Sequence, residues 1–183
     1  MELLIGLGIV VILAVFVVGI YNRLVGLRQN VKQGVADIDA QLRQRHDLIP
    51  NLVETVKGYA GHEKDTLEQV TEARNRAASG NLSSSDEAQL KVALDRMLAL
   101  AENYPDLKAN ANFQELQREL AKTEDKLAAA RRALNAAVAR FNTARESFPA
   151  VMFAGALGFQ EADFHRLDES EQGVVDQVPQ VSF

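Results

Sequence analysis

The sequence predicts an all-α protein: an N-terminal transmembrane helix that continues into an elongated antiparallel bundle of three to four long helices, with an extended C-terminal tail. An uncharged apolar run fills most of the first 20 residues. Large apolar residues recur at spacing seven through the middle of the chain. No period-2 strand pattern of useful length precedes residue 149. Of the 183 residues, 47% are apolar but only 6% aromatic. Ala and Leu supply most of the apolar mass, which favours helix over strand.

The anchor comes first. Leu3 to Ile20 is 18 consecutive uncharged residues, 15 apolar and three Gly, and includes Leu3, Leu4, Ile5, Ile9, Val10, Val11, Ile12, Leu13, Phe16, Val17 and Ile20. As a helix it spans about 27 Å, enough to cross a hydrocarbon core of about 30 Å. Tyr21 stands where an interfacial aromatic belongs. A cleaved signal peptide would need a basic start and small residues at a cleavage site. This chain begins Met1-Glu2 and offers Ile20-Tyr21-Asn22, so an uncleaved anchor is expected. Arg23, Arg28 and Lys32 follow the run and no basic residue precedes it. The positive-inside rule then places the body in the cytoplasm, with a two-residue N-terminus outside.

The next helix carries two interleaved rows: Leu24, Val31, Ile38, Arg45, Leu52 and Tyr59, and Val35, Leu42, Ile49 and Val56. The rows pass Pro50 without losing phase, so a kink is expected there rather than a break. No linker separates Ile20 from Leu24, so this helix should begin inside the membrane. A third stretch, Glu63 to Ala78, carries Leu67, Val70, Ala73 and Ala77. A loop over residues 80–87, with its Ser83-Ser84-Ser85 run, precedes a fourth stretch with Leu90, Leu94, Met97, Ala101 and Tyr104, and Pro105-Asp106 makes the next turn.

The longest pattern is a heptad seam: Phe113, Leu120, Leu127, Leu134, Phe141 and Phe148, with Leu116, Thr123, Ala130, Ala137 and Ala144 three residues after the first five. Its small residues allow close approach of a partner helix, the seven-residue period predicts left-handed supercoiling, and Pro149 stops the helix. The chain therefore divides into an anchor (1–21), a helical bundle (22–148) and a tail (149–183). Residues 161–183 hold six acids against Arg166, a net −5 that equals the charge of the whole chain. Apolar residues including Phe153, Phe159, Phe164, Val181 and Phe183 dot the tail, so docking on the bundle or on a neighbouring subunit is expected. Phe159, Phe164, Val181 and Phe183 are the candidate oligomer contacts.

Several motifs carry a family resemblance: Tyr21-Asn22-Arg23-Leu24-Val25; Arg45-His46-Asp47-Leu48-Ile49-Pro50-Asn51-Leu52-Val53 with Glu54 to Ala60 after it; and Ala101-Glu102-Asn103-Tyr104-Pro105-Asp106-Leu107-Lys108-Ala109-Asn110. Asn112-Phe113, Leu116-Gln117, Thr123-Glu124, Phe148-Pro149 and Gly158-Phe159 agree. Nearly the whole chain resembles a bacterial LemA-family protein. The family often has Trp near position 36 or 37, where this chain has Ala36-Asp37. The resemblance implies a single-pass protein of the bacterial cytoplasmic (inner) membrane with a helical cytoplasmic bundle, and no enzymatic activity. Family members occur in magnetosome membranes and beside genes for membrane zinc proteases.

Reactive constellations are scarce. Without Cys there is no disulfide scaffold, thiolate metal site or Cys nucleophile. A net charge of −5 gives no basic nucleic-acid surface. His62-Glu63 starts like a zinc-protease motif, but its second His would fall at Thr66. His46 and His165 have no ligand at helical spacing, and Ser83-Ser84-Ser85 has no companion His. No catalytic residue, metal, cofactor, nucleic acid or small-molecule substrate is expected. Arg45 interrupts an apolar row. The simpler expectation is that it snorkels from the seam edge; the sharper one is a register-setting ion pair with Glu124 or Glu115. Pro50 frees the carbonyl of His46, to be met by Asn51 or a neighbouring helix, and is either a static kink or a hinge. Gly6, Gly8 and Gly19 lack GxxxG spacing, so assembly should rest on the soluble helices and the tail. The expected function is a non-enzymatic membrane-anchored scaffold, contacting lipid through its N-terminal helix and assembling as a homo-oligomer or with a membrane-protein partner. The alternative is a regulatory subunit of a membrane protein such as a protease.

Overall fold

A computed structural model describes residues 1–79 and 84–164. Every regular element among them is helical: α1 (Glu2–Lys57), α2 (Lys64–Ser79), α3 (Ser84–Ala101), α4 (Pro105–Lys108), α5 (Ala111–Glu146) and α6 (Val151–Ala154). Four of these are long, and α4 and α6 are single turns. The described chain forms two compact units, one of Met1–Asp37 with residues 129–164, the other of residues 38–128. Both α1 and α5 contribute to each.

The unit of residues 38–128 is a helical bundle around one core. Ile49, Leu52 and Val56 from α1, Leu67, Val70, Ala73 and Ala77 from α2, Leu90, Leu94 and Met97 from α3, Leu107 from α4, and Phe113 and Leu120 from α5 are buried together. Within α1, α2 and α3 these residues recur every three or four positions, and the two from α5 lie seven apart, the stripe a helix needs to face a core. Pro105 occupies the first turn of α4, where its missing N–H costs nothing. Asn110 caps α5: its Oδ1 accepts from the Phe113 N–H at 3.0 Å, while its Nδ2 donates to the Tyr59 hydroxyl at 2.9 Å.

In the other unit, α1 and α5 pack antiparallel. Gly34 makes the approach possible, since a Cβ there would lie 3.1–3.2 Å from Leu134 atoms, including its Cα. Leu24, Phe141, Ala150, Ala154 and Phe159 form the core, with Ile20, Val25 and Val31 packed against it. After α6 the chain reverses through Gly158, whose φ of 76° suits glycine. The Gly158 N–H donates to the Gly155 carbonyl at 3.1 Å and the Phe159 N–H to the Ala154 carbonyl at 2.9 Å, a Schellman-type stop that turns Phe159 inward. Asn142 then holds the returning strap in a two-point bond, donating to the Ala162 carbonyl at 2.9 Å and accepting from its N–H at 3.0 Å. Arg145 donates to the Phe159 carbonyl at 3.2 Å.

Two sequence expectations are corrected here. Phe148 leaves the seam and is 80% exposed, because α5 ends at Glu146 and heptad phase has no meaning past a helix end. Phe113, Leu120, Leu127, Leu134 and Phe141 are all buried. Phe159 is not a free oligomer contact: it is 1% exposed inside its own chain. Phe164 is exposed, and Val181 and Phe183 lie outside the described residues, as do His165 and Ser83.

The first third of α1 is unlike the rest. From Leu3 to Ile20 every residue is exposed except half-buried Val17 and Ile20, and mean hydropathy over an 18-residue window reaches 3.2. This segment is long and apolar enough to cross a membrane, and no protein surface covers it.

Candidate functional site

The unit of residues 38–128 contains a buried ionic cluster. Arg45 on α1 is 2% exposed, so the snorkelling expectation fails and the ion-pair one holds, with an added partner. One guanidinium nitrogen donates to Glu124 Oε1 on α5 at 2.7 Å, and the other to Glu87 Oε2 on α3. Glu87 is 5% exposed and was not singled out in the sequence, where it stands in a stretch that reads as a loop and cap. Glu115, the other candidate, pairs instead with Arg118 at 2.7 Å.

His46, the next residue on α1, reaches the second oxygen of the same carboxylate, with Nε2 3.0 Å from Glu87 Oε1. A carboxylate only accepts, so Nε2 carries the proton and donates. Burial pushes the His46 pKa below its ordinary value, and the nearby Arg45 and Arg74 charges push the same way against a smaller opposing effect of Asp47. The imidazole is therefore neutral near neutral pH. The backbone of His46 completes the cluster: Arg74 on α2 donates from Nε to the His46 carbonyl at 3.2 Å. That carbonyl is the one freed by Pro50, which has no N–H to return to it. The helix continues through Pro50, and the neighbouring helix rather than Asn51 meets the freed group.

The arrangement ties α1, α2, α3 and α5 through Arg45, His46, Arg74, Glu87 and Glu124. Its charged groups are turned on one another: the Arg45 guanidinium engages both carboxylates and the neutral imidazole engages Glu87, while the Arg45 Nε–H is buried without an acceptor. Two surface grooves of about 460 Å3 each flank α2, and no member of the cluster lines either. Among the described residues no group of three or more His, Cys, Asp or Glu is placed to hold a metal ion. His62 is exposed, and Glu63 lies 3.4 Å from the Tyr104 hydroxyl, which donates to it.

The basic residues after the apolar segment lie in the other unit. Arg23 and Lys32 are exposed, but Arg28 is half-buried with its guanidinium 5.0 Å over the Phe159 ring. Tyr21 meets the same ring edge-on at 5.5 Å.

Comparison with known proteins agrees with the motifs. The model of the LemA family matches residues 34–183. Protein LemA of Metamycoplasma hominis is 24% identical over 161 residues, covering 82% of this chain and 74% of that protein. Magnetosome protein MamQ of Magnetospirillum gryphiswaldense is 21% identical over 191 residues, covering 88% and 70%. Magnetosome protein MamQ 1 of Paramagnetospirillum magneticum is 22% identical over 173 residues, covering 79% and 64%. None of these names denotes an enzyme.

Proposed function

Because this chain belongs to the LemA family, we propose that it is a non-enzymatic, membrane-anchored helical scaffold. Its first helix sits in the cytoplasmic membrane of a bacterium, with the body on the cytoplasmic side, and it assembles with itself or with a membrane partner. The supporting observation is the course of α1. One uninterrupted helix, Glu2–Lys57, begins as an uncovered apolar segment and ends in a unit whose helices are locked together by buried ion pairs. The ionic groups of that lock are turned on one another, which suits a structural role better than turnover. The same brace on the His46 carbonyl supports a fixed helix at Pro50 over a hinge, and so a scaffold over a signalling subunit. The naming of the MamQ relatives as magnetosome proteins is in keeping with a place at a membrane.

Purified in mild detergent, the full chain should run as a discrete homo-oligomer by light scattering, or co-elute from native membranes with a defined membrane protein. A chain that stays monomeric and enlarges only when a protease or similar enzyme is added would favour the regulatory reading. Protease added outside intact spheroplasts should spare the body; its digestion there would reverse the orientation.

A further inference from the structure

The unit that holds the end of the apolar segment also exposes a second apolar surface. α5 runs back along α1 and ends at Glu146, and the chain then presents Phe148 at 80% exposure, Val151 at 53% and Met152 at 65%. Their neighbours Ala150 and Ala154 face inward, packed with Leu24 and Phe159. The turn is thus two-sided, with small residues toward the protein and large apolar ones away from it. Its height along α1 is fixed by the same core: Ile20, Leu24 and Phe159 pack together, and Tyr21 touches Phe159. Ile20 is the last residue of the apolar run and Tyr21 follows it. A residue rise of about 1.5 Å puts everything packed on Ile20–Leu24 within about one helical turn of that boundary.

We propose that the turn after α5, led by Phe148, Val151 and Met152, is a second membrane contact that inserts its exposed side chains into the bilayer interface beside the span. This rests on the membrane-anchor reading of α1. The occupant follows from continuity: the patch adjoins the apolar run at the depth where Tyr21 places the headgroup boundary, and Phe and Met side chains suit that boundary. The contact gives α1 a second foothold, from the far end of α5, and sets the rotation of the span about its own axis. A single apolar helix leaves that rotation free.

The chain contains no Trp, so a single introduced Trp reports unambiguously. Met152→Trp, Ile12→Trp and Val92→Trp would each be made in the full chain and reconstituted in phosphatidylcholine vesicles. Some vesicles would carry lipid brominated at shallow acyl positions and others at deep ones. Val92 is 51% exposed on α3 and serves as the water-facing control. The expected result is blue-shifted Met152→Trp emission lost mainly to shallow bromine, Ile12→Trp emission lost mainly to deep bromine, and Val92→Trp emission lost to neither. If Ile12→Trp is quenched but Met152→Trp behaves like Val92→Trp, the second contact is refuted and the anchor stands. If Met152→Trp is blue-shifted yet unquenched, protein covers the patch and the proposal is likewise refuted. If Ile12→Trp is unquenched, the anchor reading falls and this one with it.

Discussion

Arg45 and Glu87 form an ion pair across α1 and α3 in which the side chains are 2% and 6% exposed. Forty-two residues separate them in sequence, so the pair exists only when the bundle is assembled.

Removing one member should therefore cost far more than removing both. Glu87→Ala leaves a buried guanidinium with only half-exposed Glu124 and takes the acceptor from His46. The expected loss is about 3–5 kcal/mol. Arg45→Met combined with Glu87→Leu leaves no buried charge and should lose much less. Denaturant unfolding of the full chain in a fixed detergent, followed by circular dichroism, measures both. A double-variant loss equal to the sum of the Arg45→Met and Glu87→Leu single losses would show that the pair is not energetically coupled.

The pH dependence of stability has a definite sign. His46 is held below its ordinary pKa of about 6.5 in the folded chain. Above that pH it is neutral in both folded and unfolded chains and contributes no slope. As pH falls below it, the unfolded chain takes up the proton first, so stability decreases until the depressed folded pKa is reached. His46→Gln keeps a donor for Glu87 but cannot be protonated. The difference in unfolding midpoint between wild type and this variant should be constant above about pH 7 and should shift in the variant's favour under more acid conditions. A difference that stays flat throughout would remove His46 as the source.

Leu127 and Phe148 share a heptad row in the sequence but not in the structure. Leu127 is 0% exposed and Phe148 80%. Leu127→Asp buries an unpaired carboxylate and should unfold the bundle or cost more than about 4 kcal/mol. Phe148→Asp removes no buried contact within the chain, so the thermal melt of the fold should stay within about 0.5 kcal/mol of wild type and any loss should fall on the membrane contact of the turn instead.

That contrast shows what the sequence made legible. Periodicity marks which residues face a core as long as the helix lasts, which is why Leu67, Val70, Ala73 and Ala77 are buried at their expected spacing. It says nothing of where a helix ends, and α5 stops two residues before Phe148. A charged residue in an apolar row fits a snorkelling side chain as well as a buried pair, and it does not name the partner. Of the candidates Glu124 and Glu115 only Glu124 meets Arg45, and Glu87 sits at the start of α3 among residues that read as a cap. Gly34 gave no periodic signal at all, because its role is an absent side chain beside Leu134. Phe159 stood among other apolar tail residues, and only the reversal at Gly158 distinguishes it from exposed Phe164.

The carbonyl of His46 offers the most discriminating test of the cluster. Pro50 cannot supply the N–H that an unbroken helix would send to this oxygen, and Arg74 Nε supplies one from α2 at 3.2 Å. Arg74→Met keeps most of the apolar stem and removes the donor, so it should destabilise by about 1–3 kcal/mol. In a Pro50→Ala background the amide of residue 50 can bond to the His46 carbonyl within α1. The same Arg74→Met change should then cost less, with a coupling of about 0.5–3 kcal/mol between the two sites. Pro50→Ala alone should stabilise the chain, since an interior proline costs a helix about 3 kcal/mol. The four proteins should be compared above about pH 7, because the Arg74 charge also helps keep His46 unprotonated and would otherwise mix a titration into the cycle. Zero coupling would mean that Arg74 contributes through its contacts on α2, such as the 3.3 Å bond to Asn75, and that the proline carbonyl is satisfied by other means.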